Sequence, residues 1–179
     1  MPEALLIIDL QNDFLAGGAL AVPDGDEVID PVTELIESGR FDLMVATRDW
    51  HPPDHGSFQE QGGPWPPHCV QGSEGAEISR AIPREKIDAV INAGYEPDLE
   101  GYSGFEATDL AAVLREQQVD RLTVVGLATD YCVRHTVLDA LREGFEVTVD
   151  SAGIRGIDAE PGDSERALEE MSAAGAAIR

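Results

Sequence analysis

The sequence predicts an α/β protein of three layers (α/β/α), in which helices cover both faces of a mainly parallel sheet of about six strands. Short apolar runs rich in β-branched residues, such as residues 121–126, are typical of strands that are buried on both faces. Between these runs lie segments whose apolar residues recur every three or four positions, as they do in amphipathic helices. The alternation of the two patterns along the chain therefore indicates parallel strands joined by helices.

Each element follows from one of these two patterns, and we expect them to form one domain that spans residues 1–179. The predicted strands are residues 4–9, 41–47, 87–91, 121–126, 145–150 and 176–178. The predicted helices are residues 27–38, 108–118 and 160–174, and a further helix starts at residue 129. Their inward apolar residues are Val28, Val32, Leu35 and Ile36, then Leu110, Val113 and Leu114, then Val133, Val137, Ala140 and Leu141, and finally Ala167, Leu168 and Met171.

The composition restricts the partners and the environment. A formal net charge of −23 argues against nucleic acid and anionic membranes as partners. Lys86 is the only lysine, and the acidic, lysine-poor composition suggests a halophilic protein whose self-repulsion is screened by salt. With only 2 cysteines, no secretory leader and no apolar run of membrane length, we expect a cytoplasmic protein in a reducing compartment.

Cys132 is the candidate nucleophile. It follows the strand at residues 121–126 and a tight turn, and it falls in the first turn of the next helix, which Thr129 or Asp130 can cap. Free backbone N–H groups and the helix dipole at that position favour a thiolate and can also hold an oxyanion. A small buried cysteine without chemistry is the alternative.

Asp9 ends the first predicted strand. Open α/β sheets place their sites at the carboxyl ends of the strands, so its carboxylate is a candidate for the same site as Cys132. A turn-forming aspartate is the alternative interpretation, because aspartate is common in turns.

Three histidines and an aspartate suggest a metal site. Of 4 histidines in the chain, three lie in residues 48–75, a segment too long for a plain connection. Imidazole and carboxylate ligands suit one divalent ion such as Zn, Fe or Mn, while solvated loop histidines are the alternative. The candidate metal ligands are Asp49, His51, His55 and His68.

These residues lie in five blocks that together resemble the isochorismatase-like cysteine hydrolases, a family with a Rossmann-like α/β fold. The blocks are IIDLQNDF (7–14), TRDWHPPDH (47–55), WPPHC (65–69), YSGF (102–105) and GLATDYCV (126–133). The resemblance covers essentially the whole chain, although no single block would be specific. Isochorismatase-type members generally lack the histidine metal set, so this set favours the nicotinamidase, or pyrazinamidase, branch.

The resemblance implies hydrolysis of nicotinamide to nicotinate and ammonia, a step of NAD salvage, with pyrazinamide as a second substrate. Cys132 would attack the carboxamide carbon after Asp9 takes its proton, and the N–H groups of Ala128 and Cys132 would form the oxyanion hole. The metal would bind the pyridine nitrogen and orient the ring. The implied substrate-binding residues are Phe14, Trp65, Tyr102, Leu127 and Ala128, with a cis peptide between the last two. A homo-oligomer is compatible with the resemblance.

Ala93 departs from the family pattern. The family carries a lysine here, in a Lys-Gly pair after the third strand, and that lysine completes an Asp–Lys–Cys triad. Lys86 precedes the strand and is a poor substitute. Ala93 is either an engineered replacement or a natural feature of a weak or inactive member, and in both cases we expect impaired activity. The alternatives are a ligand-binding protein with little chemistry and a hydrolase of another small amide or of an isochorismate-like ether.

The net charge predicts that folding depends on salt. Because the −23 charge is spread along the chain, the compact state repels itself at low ionic strength. We expect the midpoint of thermal unfolding to rise as NaCl is increased to molar concentrations. A midpoint that does not rise would remove the argument for a halophilic protein.

Overall fold

A computed structural model describes residues 1–179 and places six strands in one parallel sheet. The strands are β1 (Glu3–Ile8), β2 (Leu43–Asp49), β3 (Ala89–Ala93), β4 (Arg121–Leu127), β5 (Glu146–Arg155) and β6 (Ala177–Ile178). Their order across the sheet is β3-β2-β1-β4-β5-β6, and every neighbouring pair runs parallel. The predicted fold class is confirmed.

Four α-helices connect the strands. They are α1 (Ile29–Glu37), α2 (Leu110–Glu116), α3 (Arg134–Arg142) and α4 (Asp163–Ala174). None of them has the length and apolar character that crossing a lipid bilayer requires. The long segment between β2 and β3 contains only short 3₁₀ turns, as its proline- and glycine-rich sequence predicts.

The core lies on both faces of the sheet. Successive side chains of a strand point to opposite faces, so Leu6 and Ile8 of β1 pack with α2, α3 and α4. Leu5 and Ile7 pack on the other face with α1 and with part of the segment that precedes β3. Because both faces of β1 are covered, its sequence is continuously apolar rather than alternating.

The chain reverses its direction of travel across the sheet beside β1. It first adds β2 and β3 on one side of β1, and then crosses back to place β4 on the other side. In open α/β sheets, ligands bind at the carboxyl ends of the strands next to such a reversal. Asp9, which follows β1, and Ala128, which follows β4, lie at this point.

Several predicted boundaries were wrong by a few residues. β2 and β3 each lie two residues later than predicted, so Asp49 and Ala93 are the last residues of their strands. β5 continues to Arg155 instead of ending at residue 150, because a bulge interrupts its pairing with β4 and the pairing then resumes between Gly126 and Ile154.

Gly126 allows β4 to approach β1. Its φ is 120°, and a Cβ built at this position would lie 2.0 Å from the carbonyl oxygen of Ile8. Any side chain would therefore displace the backbone of β1. Gly144 also has a positive φ, 94°, but a Cβ there would meet nothing within 4 Å.

We predict that Gly126→Ala lowers the free energy of unfolding by about 3 kcal/mol or more, since it adds a backbone clash to an unfavourable φ. Gly144→Ala is the matched control and should cost about 1–2 kcal/mol, because only the φ is unfavourable. Urea denaturation of both variants at one fixed salt concentration measures the difference. Equal losses would show that the close approach of β4 and β1 does not constrain residue 126.

Candidate active site

Asp9 is held at the end of β1 by its neighbour in β2. Its φ of 47° lies in the left-handed region, which is uncommon outside glycine although aspartate is enriched there. Its N–H donates to the carbonyl oxygen of Thr47 (3.1 Å), and its Oδ1 accepts a hydrogen bond from Thr47 Oγ1 (2.8 Å). The carboxylate is therefore fixed inside the protein, where the residue is only 2% exposed.

Cys132 lies in a π-helical turn, Thr129–Val133, that precedes α3. The carbonyl oxygen of Ala128 accepts hydrogen bonds from the N–H groups of Tyr131 and Val133, both at 3.1 Å. This wider turn was not predicted from the sequence, which placed Cys132 in the first turn of a regular helix. Single π turns occur frequently at functional sites.

The predicted capping role of Thr129 and Asp130 was wrong. The turn has no side-chain cap. The carboxylate of Asp130 instead accepts hydrogen bonds from the N–H groups of Ile157 (2.9 Å) and Asp158 (2.8 Å). Asp130 therefore fastens the segment after β5 to the turn that carries Cys132.

Asp9, Asp49 and Cys132 come together at the carboxyl ends of the strands, with their potential ligand atoms all within 4.8 Å of one another. Burial, and then the charge of Asp49, raise the pKa of Asp9 well above its usual value. Burial, and then the charges of Asp9 and Asp49, raise the pKa of the Cys132 thiol. In this structure Cys132 is therefore a thiol until another group takes its proton, which differs from the thiolate that the helix dipole alone would favour.

Asp49, His51 and His68 form a second group within 4.8 Å. Oδ2 of Asp49 lies 3.3 Å from Nε2 of His51 and 3.8 Å from Nε2 of His68. Burial disfavours the ionised carboxylate of Asp49. The positive charge of His51 and its hydrogen bond with Asp49 outweigh burial, so they lower the pKa of Asp49 to about 2.

The tautomers of the two histidines suit a cation. Nδ1 of His51 lies 2.8 Å from the carbonyl oxygen of Gly94, and Nδ1 of His68 lies 2.8 Å from that of Pro66. A carbonyl oxygen only accepts, so each Nδ1 carries a hydrogen, and Nε2 of each ring faces Asp49. Nε2 of His51 donates to Asp49 when it is protonated, and it would present a lone pair to a metal ion once that proton is lost. Three acceptors that converge in this way fit a proton or a metal ion between them.

His55 is not brought into this group. Its Nδ1 lies 2.7 Å from Oγ of Ser57, and its Nε2 lies 2.7 Å from the carbonyl oxygen of Leu99. Its ring stacks on that of His51, with the centroids 3.8 Å apart. Both ring nitrogens of His55 have hydrogen-bond partners and neither faces Asp49, so its role as a metal ligand stays a prediction.

Ala93 lies beside the site as predicted, at the end of β3. It pairs with Asp49 in the register of the sheet and is 1% exposed. The next residue, Gly94, has a φ of 60°, and a Cβ there would lie 2.5 Å from Cε1 of His51. Lys86 belongs to a 3₁₀ turn before the other end of β3, so the one lysine of the chain is remote from Cys132.

A narrow cavity of about 30 Å³ opens above Cys132. It is lined by Phe14, Leu20, Asp49, Trp65, His68, Tyr102, Ala128, Tyr131, Cys132 and Ile157. Nε1 of Trp65 donates a hydrogen bond to the hydroxyl oxygen of Tyr102 (3.0 Å), which joins two of its aromatic walls. Aromatic walls around a few polar groups are typical of a site for a small ring.

Two of the predicted substrate residues differ in their surroundings. Ala128 lines the cavity, whereas Leu127 is fully buried in the core on the α1 face. The peptide bond between them is cis, as the family resemblance implies. The sequence analysis missed Leu20, Tyr131 and Ile157; only Tyr131, which adjoins Cys132, lies in a block that could have indicated it.

Comparisons with known proteins agree with this geometry. A family model described as the isochorismatase domain matches residues 3–179. A nicotinamidase of Escherichia coli (strain K12) is 46% identical, over 99% of this chain and 94% of that protein. The crystal structure of the pyrazinamidase of Pyrococcus horikoshii in complex with zinc is 52% identical, with a TM-score of 0.92, over 100% of this chain and 99% of that chain.

A third relative was solved with a ligand. PnC1 from L. infantum, in complex with nicotinate, is 36% identical with a TM-score of 0.95, over 99% of this chain and 92% of that chain. These matches extend over nearly the full length of both partners, and they include the strand ends that carry Asp9, Asp49 and Cys132. The chain therefore belongs to the isochorismatase domain family.

Proposed function

We propose that this chain is an amidohydrolase of the nicotinamidase type, which acts on nicotinamide and also on pyrazinamide. The observation that carries the proposal is the buried pair of Asp9 and Cys132 at the base of a cavity with aromatic walls. The nicotinamidase, the pyrazinamidase and the nicotinate complex among its relatives support this substrate class.

In the first step Asp9 takes the proton of the Cys132 thiol, and the sulfur attacks the carboxamide carbon. A C–S bond forms, and the electron pair of the C=O bond moves to oxygen. The N–H of Ala128 has no backbone acceptor in the structure, so it is free to donate to this oxyanion. The raised pKa of Asp9 makes its carboxylate a better proton acceptor than an exposed aspartate.

Asp9 then returns the proton to the amide nitrogen as the C–N bond breaks, and ammonia leaves. The acyl group remains on Cys132 as a thioester. Water attacks the thioester carbon, Asp9 takes a proton from that water, and the C–S bond breaks. The carboxylic acid product, nicotinate, leaves, and the sulfur regains its proton.

The aromatic residues Phe14, Trp65 and Tyr102 would hold the pyridine ring. The hydrogen bond between Trp65 and Tyr102 keeps these two side chains in one arrangement, so little ordering is needed when the ring enters. Cys69, the other cysteine, does not line the cavity and is fully buried, so it is a poor alternative nucleophile.

Asp49, His51 and His68 would hold one divalent ion, and Zn is the first candidate because the relative from P. horikoshii binds it. Fe and Mn also suit such a ligand set. When bound, the ion would supply a Lewis acid for the pyridine nitrogen and so orient the ring. The ring of His55 stacks on His51 and its Nε2 is hydrogen-bonded to Leu99, so we propose that it supports His51 and does not bind the ion.

Ala93 makes an impaired enzyme, or a ligand-binding protein with little chemistry, the second candidate function. No arginine or lysine forms an ion pair with Asp9. The pKa of Cys132 is raised by burial and by the charges of Asp9 and Asp49. Both cysteines are free thiols, as a nucleophile in a reducing cytoplasm requires.

Ammonia release and nicotinamide-dependent thermal stabilisation together distinguish the two functions, because binding without turnover supports the second.

We predict that protein purified without chelator and soaked with Zn salts binds a transition metal at the His51 and His68 site. His51→Ala and His68→Ala should lose this ion, since each removes one of three ligands. His55→Ala is the matched control and should retain it, because neither nitrogen of His55 faces Asp49. Elemental analysis measures the metal content. Loss of the ion in the His55 variant alone would reverse our assignment.

We predict that Ala93→Lys raises the turnover of nicotinamide by about 10³-fold or more while changing its KM little. A cation at position 93 would lower the cost of a thiolate at Cys132, and the aromatic walls do not depend on it. Steady-state ammonia release measures turnover, and Lys86→Ala, which removes the remote lysine, is the control that should change nothing. If the unmodified chain already turns over at about 1 s⁻¹ or faster, another group activates Cys132.

A further inference from the structure

Asp49 belongs to two groups of potential metal ligands. It joins His51 and His68 in one group, and Asp9 and Cys132 in the other. Its Oδ2 is the oxygen that faces the two histidines. Its Oδ1 is buried and has no hydrogen-bond partner, although the residue is only 5% exposed. A buried carboxylate oxygen without a partner is costly, so this atom calls for a ligand.

The second group has no lysine or arginine of its own, and His51, which faces its Asp49, belongs to the histidine group. The arginines form their ion pairs with other acids, as Arg48 does with Glu77, and none of these pairs includes Asp9 or Asp49. Oδ1 of Asp9 accepts one hydrogen bond, from Thr47. Two carboxylates and a thiol thus share a space from which water is largely excluded. A bound cation would offset this concentration of negative charge.

We propose that Asp9, Asp49 and Cys132 form a second metal site, which takes a thiophilic divalent ion such as Zn²⁺ or Cd²⁺ and shares Asp49 with the histidine site. A thiolate ligand selects soft or borderline ions, and three protein ligands leave one position open. Ligand atoms bound to one tetrahedral Zn²⁺ at about 2.0–2.3 Å lie about 3.3–3.8 Å apart, so the three side chains would draw together by up to about 1 Å on binding.

Binding of this ion exchanges a proton for the metal. The S–H bond of Cys132 breaks, its proton goes to solvent, and the sulfur forms a bond to the ion. No group is oxidised or reduced. The ion would engage Cys132 and Asp9 together, so a chain in this state could not begin the attack described above. This consequence rests on the proposed function, whereas the binding itself does not.

Titration of the metal-stripped full-length protein with Cd²⁺ tests the site, because a cadmium thiolate has a sulfur-to-metal charge-transfer band in the ultraviolet and cadmium bound to histidine and carboxylate does not. We expect two ions per chain, one for each group, and the thiolate band from only one of them. Equilibrium dialysis counts the ions, and absorbance reports the sulfur ligand.

Four variants separate the two sites. Cys132→Ser should lose the band and bind one ion, and Cys69→Ser, the matched cysteine control, should keep both ions and the band. His68→Ala should bind one ion and keep the band. Asp49→Asn should weaken both sites by about tenfold or more, because it is the shared ligand. A band that persists in Cys132→Ser, or Asp49→Asn with full affinity at either site, would overturn the proposal.

The unmodified chain supplies a measurement that does not depend on how the variants fold. Cd²⁺ should slow the alkylation of Cys132 by iodoacetamide about tenfold or more, as mass spectrometry of the labelled peptide would show. An unchanged alkylation rate at saturating Cd²⁺ would also overturn the proposal. None of these measurements uses turnover, so a chain that fails to hydrolyse nicotinamide can still show the second site.

Discussion

The close approach of two buried carboxylates and one thiol is the constraint on which the rest of the site depends. Asp9, Asp49 and Cys132 lie within 4.8 Å of one another, where burial penalises every negative charge. Separate neighbours stabilise each group: Thr47 donates to Asp9, and His51 faces Asp49. The raised pKa of Asp9 and the lowered pKa of Asp49 show that similar carboxylates acquire different proton affinities from these neighbours.

This approach is possible because the three residues come from strand ends that the sheet brings together. Asp9 follows β1, Asp49 ends β2, and Cys132 lies in the turn after β4, and these strands are adjacent in the sheet. Gly126 brings β4 against the backbone of β1 just before that turn. The packing of the sheet therefore sets the distance between Cys132 and Asp9, and a small change in the fit of β4 against β1 would change that distance.

The sequence alone could predict these residues because each follows an apolar run whose end lies at a known edge of the sheet. Asp9, Asp49, His51, His68 and Cys132 all lie at or next to the site as expected. The sequence could not show that His55 lies apart from Asp49, His51 and His68, since only the folded loop brings Ser57 and Leu99 to its nitrogens. Short-range patterns do not describe such a loop.

Other features could not be predicted because they depend on contacts between distant segments. Asp130 looked like a helix cap, but the N–H groups of Ile157 and Asp158 compete for its carboxylate. β5 continues beyond residue 150 because a bulge lets its pairing with β4 resume. Ser151 and Gly153 are residues typical of turns, so the sequence indicated that the strand ends there. A local pattern indicates which groups a residue could bind, whereas the tertiary fold decides which of them are within reach.

With alanine at position 93, the cost of moving a proton from Cys132 to Asp9 depends on where the negative charge lies before and after the transfer. Transfer of the proton from Cys132 to Asp9 leaves the number of charges unchanged, and only moves the negative charge from a carboxylate to sulfur. The cost of the transfer therefore depends on what each atom faces before and after it. Asp9 keeps its hydrogen bond from Thr47 in either state, while the sulfur faces Asp49 and no basic side chain. An alanine at the end of β3 thus leaves the carboxylate as the better place for the charge, and the thiol as the resting state of Cys132.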